Sequence, residues 1–446
     1  MGTETRRITV PFAGAGAGTA PMTWAQLGIW KTMVRTGINM NIGGTVPMPP
    51  GTTVEEMQTL LRYLVSRHQS LRTRLRFHPG GAAEQVLSEA GELTLELVDA
   101  DDPAAAAEEV RARYAAQAFD YEREWPVRMA VVRGGGAVTH VVLMYCHLAV
   151  DGFGIEAIVR DMANLDPATG EATAPVGALT PFETAAKQAG PSGRRAAEKS
   201  LRHWEHVLRD IPERRLGTSD DPREPRYWEL ILRSPAMHRA LPGIAQRTGI
   251  GPGYILLAAY AVALFRRTGR NPSVAQLVVS NRFRPGCGDS VSQLAQLSLC
   301  SIDVAGVPFD EAVRRAFTAA TSAFMHGYYD PAGLDALVAR VAQERPGLEY
   351  DIIVNDRMGV MAGADAVADG GPVAPTTTRW SRKVDSLDAV LNISFDAAPD
   401  AVEVTVCADT HRLSPAGIEA LAWEIERVTT FSEDAVEIAG ASSTQG

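Results

Sequence analysis

Apolar side chains recur along this chain with two different periods. Over residues 53–68, TVEEMQTLLRYLVSRH, Met57, Leu60, Leu61 and Leu64 fall at helical spacing. The LRTRLRF that follows alternates apolar and basic positions as a strand does. In PMTWAQLGIW, Thr23 and Gln26 stand at the spacing of a capping box, which predicts a helix beginning near Trp24. Further on, PVRMAVVRGGGAVTHVVLMYCH holds two β-branched runs separated by Gly134, Gly135 and Gly136, the pattern of a hairpin whose second strand delivers His147 at its end. Gly152 and Gly154 allow a tight turn there, and IEAIVRDMANL resumes helical periodicity.

A Pro/Gly/Thr-rich crossing, DPATGEATAPVGALTP, interrupts the pattern and predicts a division into residues 1–175 and 176–446. Beyond it come a long amphipathic helix in RRAAEKSLRHWEHVLRDIP and a core helix in YILLAAYAVALF. Strands in SVAQLVVSNRF, LAQLSLCSIDV, LEYDIIVND, AVLNISF and AVEVTVCA follow, with helices from Phe309 among them. Strands that do not alternate strictly with helices predict an α/β fold with mixed sheets.

Composition narrows the partners. The 446 residues carry a net charge of −10, which argues against a polyanion partner, since neutralising phosphates needs clustered Lys and Arg. YILLAAYAVALF is too short to span a bilayer and reads as a buried helix. The opening MGTETRRITVPFAGAGAGTA lacks the apolar core of a secretory signal and reads as running into a Gly/Ala-rich linker. Four scattered cysteines, none in a C-x-x-C pair, fit reduced thiols in cytoplasm.

The chemistry concentrates in LMYCHLAVDGFG. His147 reads either as a histidine satisfied by backbone near a strand end or as a proton-transfer group, and Asp151 follows at a spacing that lets a loop return a carboxylate toward the strand. Cys146 cannot share a proton with His147 while the strand persists, because neighbouring side chains point to opposite faces; it reads as packing. His203 and His206 lie at i and i+3 on a helix without a third ligand, which predicts a solvated face and no metal. Gly251–Pro252–Gly253 reads as a turn, and no G-x-G-x-x-G or Walker A sequence is present.

The segment from Cys146 to Gly152 resembles the His-His-x-x-x-Asp-Gly signature of nonribosomal peptide synthetase condensation domains, with the second His and the Asp-Gly present. MTWAQLGIW is similar to that family's Leu-Thr-x-x-Gln-x-x-x-Trp motif, SRHQSLRTRL to its Arg-His-Glu-x-Leu-Arg-Thr segment, and YILLAAYAVALFRRTGRNPSVAQLVVSNRF to the helix and strand leading to its Gly-Arg pair. The resemblance implies two chloramphenicol-acetyltransferase-like subdomains in a V, 1–175 carrying the motif and 176–446 completing a tunnel. It implies a free-standing enzyme that joins a thioester, delivered on the phosphopantetheine arm of a peptidyl or acyl carrier protein, to a free or carrier-bound amine or hydroxyl, with no cofactor of its own.

In that frame His147 meets the attacking nucleophile as base or positioning group, and the Gly152 N–H is a donor to the tetrahedral oxyanion. Asp151 and Arg282 form a structural ion pair, and Asn355 orients the acceptor. Three residues depart from the family pattern: Cys146 replaces its first His, Gln69 its Glu, and Gln296 an Asn. Two other readings share these residues, a CoA-dependent O-acyltransferase and a non-catalytic domain that docks carrier proteins.

Overall fold

The computed structural model describes residues 4–79, 83–359 and 374–431. The chain forms two compact units, Met1–Arg195 with Ser280–Ala295, and Ala196–Val279 with Gln296–Gly446.

In chain order the first unit runs β1 (Glu4–Ala13), β2 (Gly18–Pro21), α1 (Trp24–Thr36), β3 (Asn41–Pro47), α2 (Val54–Arg67), β4 (Thr73–Phe77), β5 (Ala83–Leu87), β6 (Ala90–Asp99), α3 (Pro103–Ala116), β7 (Val127–Gly134), β8 (Ala137–Cys146), α4 (Gly152–Asp161) and α5 (Pro181–Ala189). Five strands pair in the order β1-β6-β7-β8-β3, and β2-β5-β4 form a small antiparallel sheet. Only the β6–β7 pairing in the larger sheet is parallel. One face of that sheet packs Leu95, Val131 and Val141 against Leu61 and Leu64 of α2 and Ile158 of α4. Its other face packs Val98, Val132 and Met144 against Ala107, Val110 and Tyr114 of α3. Cover on both sides explains why β7 and β8 read as nearly continuous β-branched runs. Gly135 and Gly136, at φ 57° and 84°, make the hairpin turn between them, a conformation costly for a residue with a Cβ.

The second unit runs α6 (Pro191–Asp210), β9 (Tyr227–Ser234), α7 (Pro235–Thr248), α8 (Pro252–Thr268), β10 (Ser273–Val279), β11 (Gln296–Ile302), α9 (Phe309–Met325), α10 (Pro331–Glu344), β12 (Ile352–Asp356), β13 (Thr377–Val384), β14 (Leu391–Ala398), β15 (Ala401–Asp409) and α11 (Pro415–Thr430). Its seven strands order as β11-β10-β12-β14-β15-β9-β13, with β10–β12 and β12–β14 parallel. Every residue of α8 from Ile255 to Phe265 is buried, which accounts for an apolar sequence with no polar stripe. Trp204 and Leu208 of α6 and Leu337 and Val341 of α10 cover the opposite face of the sheet, against Val274 and Leu299.

The mixed α/β class expected from the pattern is the class observed. Two local expectations need correction. The stretch read as a linker is β1 and β2 joined across residues 14–17, with Met1–Thr3 outside the described residues. Among the described strands β1 pairs with β6 alone; its first half is exposed, and only Ile8, Val10 and Phe12 alternate onto the core, too short a run to stand out beside the Gly/Ala stretch that follows. The division after residue 175 also falls before α5, which belongs to the first unit: Gln188 on α5 accepts from the Trp24 N–H at 2.9 Å. The Ser290 hydroxyl donates to the Leu179 carbonyl at 2.6 Å and ties the 280–295 excursion to the same unit.

Candidate active site

β8 is held on both sides, by β7 and β3, down to its last residue, where Cys146 faces Asn41. The His147 N–H still reaches the Met40 carbonyl at 3.2 Å, and the chain then turns, with the Ala149 N–H on the Cys146 carbonyl at 2.9 Å. A strand end anchored this way fixes the backbone under the imidazole. His147 is partly buried, and its Nδ1 is sealed from solvent with no hydrogen-bond partner. Most buried polar atoms in folded proteins find a partner, so the orphan Nδ1 is notable. Nε2 is not among the buried nitrogens without a partner.

Cys146 sits differently. It is 3% exposed and packs with Met22, Met33, Leu75, Phe119 and Leu148, and burial pushes its thiol up to about 12. Such a group holds its proton at neutral pH and makes a poor nucleophile.

Asp151 caps α4. Its Oδ1 accepts from the Gly154 N–H at 2.8 Å, while Oδ2 accepts from the Leu294 and Ala295 N–H groups at 2.9 and 3.0 Å. Arg282 closes the cluster, with Nη2 at 2.8 Å from Oδ1 and Nη1 at 3.0 Å from Oδ2. The Arg282 Nη2 also donates to the Ser290 and Ser292 carbonyls at 3.1 and 3.2 Å. The pair therefore lies inside the first unit, binding the 280–295 excursion to the turn after His147. Gly154 makes this possible, since a Cβ there would meet Val150 Cγ2 at 2.4 Å and Arg282 Nη2 at 3.2 Å.

Gly152 is the first residue of α4, so its N–H is one of the donors that a helix start leaves unpaired, beside the turn that follows His147. Asn355 lies on β12 of the second unit, opposite Ser394 of β14. The structure thus gathers His147, Asp151, Gly152 and Arg282 in one unit and sets Asn355 in the other. Gln296, also in the second unit, donates from Nε2 to the Tyr329 carbonyl at 2.9 Å.

Four contributors were not evident as site residues in the sequence. Gln26, read there as a capping group and as the Gln of the N-terminal family motif, also donates from Nε2 to the Leu148 carbonyl at 3.1 Å, one residue past His147. The Leu294 and Ala295 amides leave no residue-type signal, and Gly154 was read only as a turn former. The expected solvated face around His203 is corrected: His206 is exposed, but the His203 ring stacks on His326 at 4.4 Å and its Nε2 lies 2.8 Å from the Leu299 carbonyl. Burial lowers the His203 pKa. Among the described residues no group of three or more His, Cys, Asp or Glu side chains is arranged to hold a metal.

The condensation domain family model matches residues 17–347, most of the chain and all of the His147 and Arg282 surroundings. The chain belongs to the condensation domain family. Among curated relatives, this condensation domain is 29% identical over 315 residues to phosphinothricin tripeptide synthetase PhsB of Streptomyces viridochromogenes, covering 67% of this chain and 26% of that one. It is 25% identical over 325 residues to the probable non-canonical nonribosomal peptide synthetase CymA of Salinispora arenicola, covering 69% of this chain and 4% of that one. The chain thus spans only a small part of these relatives. Among solved structures, the one describing condensation domain-mediated chain release from the enacyloxin polyketide synthase superposes with a TM-score of 0.73 at 20% identity, over 97% of this chain and 85% of that one. The X-domain from teicoplanin biosynthesis gives 0.70 at 19% identity, over 96% and 99%. SgcC5 from Streptomyces globisporus gives 0.69 at 18%, over 93% and 100%. The condensation domain's fold is the chloramphenicol-acetyltransferase-like one, and its family is that of acyl and peptidyl transferases working with carrier proteins.

Proposed function

We propose that this condensation domain is a cytoplasmic enzyme that transfers an acyl or aminoacyl group from a carrier-protein thioester to an amine or hydroxyl acceptor, giving an amide or ester. The observation that carries this reading is the His147 imidazole, placed by an anchored strand end, unpaired at Nδ1 and followed by the Asp151-capped helix start. The acceptor nitrogen or oxygen attacks the thioester carbonyl; its proton passes to His147, the C–S bond breaks, and the departing thiolate takes a proton back. Such base catalysis contributes about 10²–10⁴ in rate, and matters most for a hydroxyl, which is a weak nucleophile unaided. The Gly152 N–H supports the oxyanion from a helix start whose partial positive charge favours it. Asp151 and Arg282 hold that start in place, and Asn355 orients the acceptor. No single helix among the described residues is long and apolar enough to cross a membrane, in keeping with carriers met in solution.

A second reading, a domain that only docks partners, is favoured by Cys146 in place of the family's first His and by the likeness to the X-domain described in complex with OxyB, at TM-score 0.69. Supplying acylated carrier proteins in trans with a panel of amines and alcohols, and following product by mass spectrometry, separates the readings. New amide or ester supports the enzyme, and carrier binding without product supports docking. Turnover of free acyl-CoA as fast as of acyl carrier would instead make it a CoA-dependent O-acyltransferase.

A further inference from the structure

A cleft of about 700 Å³ in the second unit is lined by five arginines, Arg214, Arg215, Arg267, Arg270 and Arg412, in a chain whose net charge is −10. It lies where α8 ends and α11 begins, beside the start of β10. Arg412 is committed: its guanidinium pairs with Glu349 and donates to the Leu216 and Gly217 carbonyls. Glu349 is committed too, accepting the Arg215 and Leu216 N–H groups at 2.8 and 3.2 Å. Among the described residues the other four arginines make no salt bridge to a carboxylate. Arg214, Arg267 and Arg270 are exposed and make no side-chain ion pair or hydrogen bond among the described residues. Arg215 is 2% exposed; its Nη1 donates to the Pro272 carbonyl, while Nε and Nη2 are sealed from solvent and find no partner, so this charge acts on the cleft from behind its wall. Burial, with Arg345 and Arg270 adding to it against Tyr260 and Glu349, pulls this guanidinium down to about 10.

An unpaired buried cation among three unpaired exposed ones is unfavourable in an empty cleft and is relieved by a multivalent anion. Ser414, the N-cap of α11, lines the same cleft, so the positive end of a sixteen-residue helix adds to the field. Asp220 is the one carboxylate on the lining besides Glu349. A single carboxylate ligand would leave most of this charge unbalanced, whereas a diphosphate brings about three negative charges and oxygens that match guanidinium forks.

We propose that this cleft binds the diphosphate group of a small molecule. The site belongs wholly to the second unit, at the opposite end of β10 from Asn281 and Arg282, and does not depend on the function proposed for His147. The volume leaves room for the moiety that carries the diphosphate.

Calorimetric titration of the full chain with pyrophosphate and with ADP, at about 0.1 M salt, tests it. Saturable binding is expected, weakened about tenfold or more for each guanidinium removed in R267Q and R267Q/R270Q, exposed positions where folding is not at stake. Arg215, sealed behind the lining, acts only through its charge, so the exposed pair Arg267 and Arg270 carries the test. ADP binding more tightly than pyrophosphate means the carrying moiety is also read, and equal binding means the diphosphate alone is. No saturable binding of either ligand, or equal affinity in wild type and R267Q/R270Q, overturns the proposal.

Discussion

Replacing Asp151 with Asn is a change of one atom, and the structure makes it expensive. Five donors lie within 3.0 Å of the carboxylate, namely the Gly154, Leu294 and Ala295 N–H groups and the Arg282 Nη1 and Nη2. An amide has one acceptor oxygen, so whichever way it turns, its NH₂ faces at least two of those donors. Arg282 then keeps a buried charge without its counter-ion, a situation that costs about 3–5 kcal/mol. For a unit of about 210 residues, each kcal/mol moves the midpoint by about 2–4 °C, so the first unit should melt about 6–20 °C lower. Asp102→Asn at the exposed cap of α3 is the control, because Asn caps a helix as well as Asp does. Scanning calorimetry of the three proteins measures the effect. A midpoint for Asp151→Asn within about 2 °C of wild type would refute the reasoning, since a carboxylate so easily replaced is not holding Arg282 or the two loop amides.

Other outcomes follow from particular contacts. Asp161 is surrounded by Arg67, Asn164 and His68, the last at 3.1 Å; burial alone would raise its pKa, but these donors outweigh it and hold the carboxyl well below its ordinary range. Since the unfolded carboxyl titrates near about 3.9, the unfolded chain takes up the proton first as pH falls, so the stability from Asp161 is full above about pH 5 and drains away below about pH 4. The stability gap between wild type and Asp161→Asn, followed by urea titration, should therefore narrow at low pH, and a constant gap contradicts the assignment. Gly154→Ala should destabilise by about 1–3 kcal/mol through the clash with Val150, measured by the same titration; a neutral result would mean the helix start shifts freely. With its thiol pushed up to about 12, Cys146 should resist iodoacetamide in the native protein and form no acyl adduct with the donor thioester, as read by peptide mapping; an adduct at Cys146 would replace direct transfer with a covalent route.

The fold was legible where local signals were strong. Thr23 and Gln26 make the capping box that their spacing announced, and the glycines between β7 and β8 turn the hairpin where expected. β1 was missed although Ile8, Val10 and Phe12 alternate onto the core, because the Gly/Ala run that follows them was taken to begin earlier than it does. At the site, Asp151 and Arg282 came from the family pattern, and the structure supplies the contact. The amides of Leu294 and Ala295 were invisible because a backbone donor is chosen by chain path rather than residue type. The unpaired Nδ1 of His147 was likewise beyond reach, since sequence names a histidine but not its hydrogen bonds.

The central claim is that His147 acts on the transferring acyl group, and turnover of His147→Ala in the carrier-protein assay tests it most directly. The account predicts product formation lowered by about 10²–10⁴ with a melting midpoint near that of wild type, because the partly exposed ring makes no hydrogen bond whose loss would weaken the fold. A folded His147→Ala protein that makes product at the wild-type rate would contradict it.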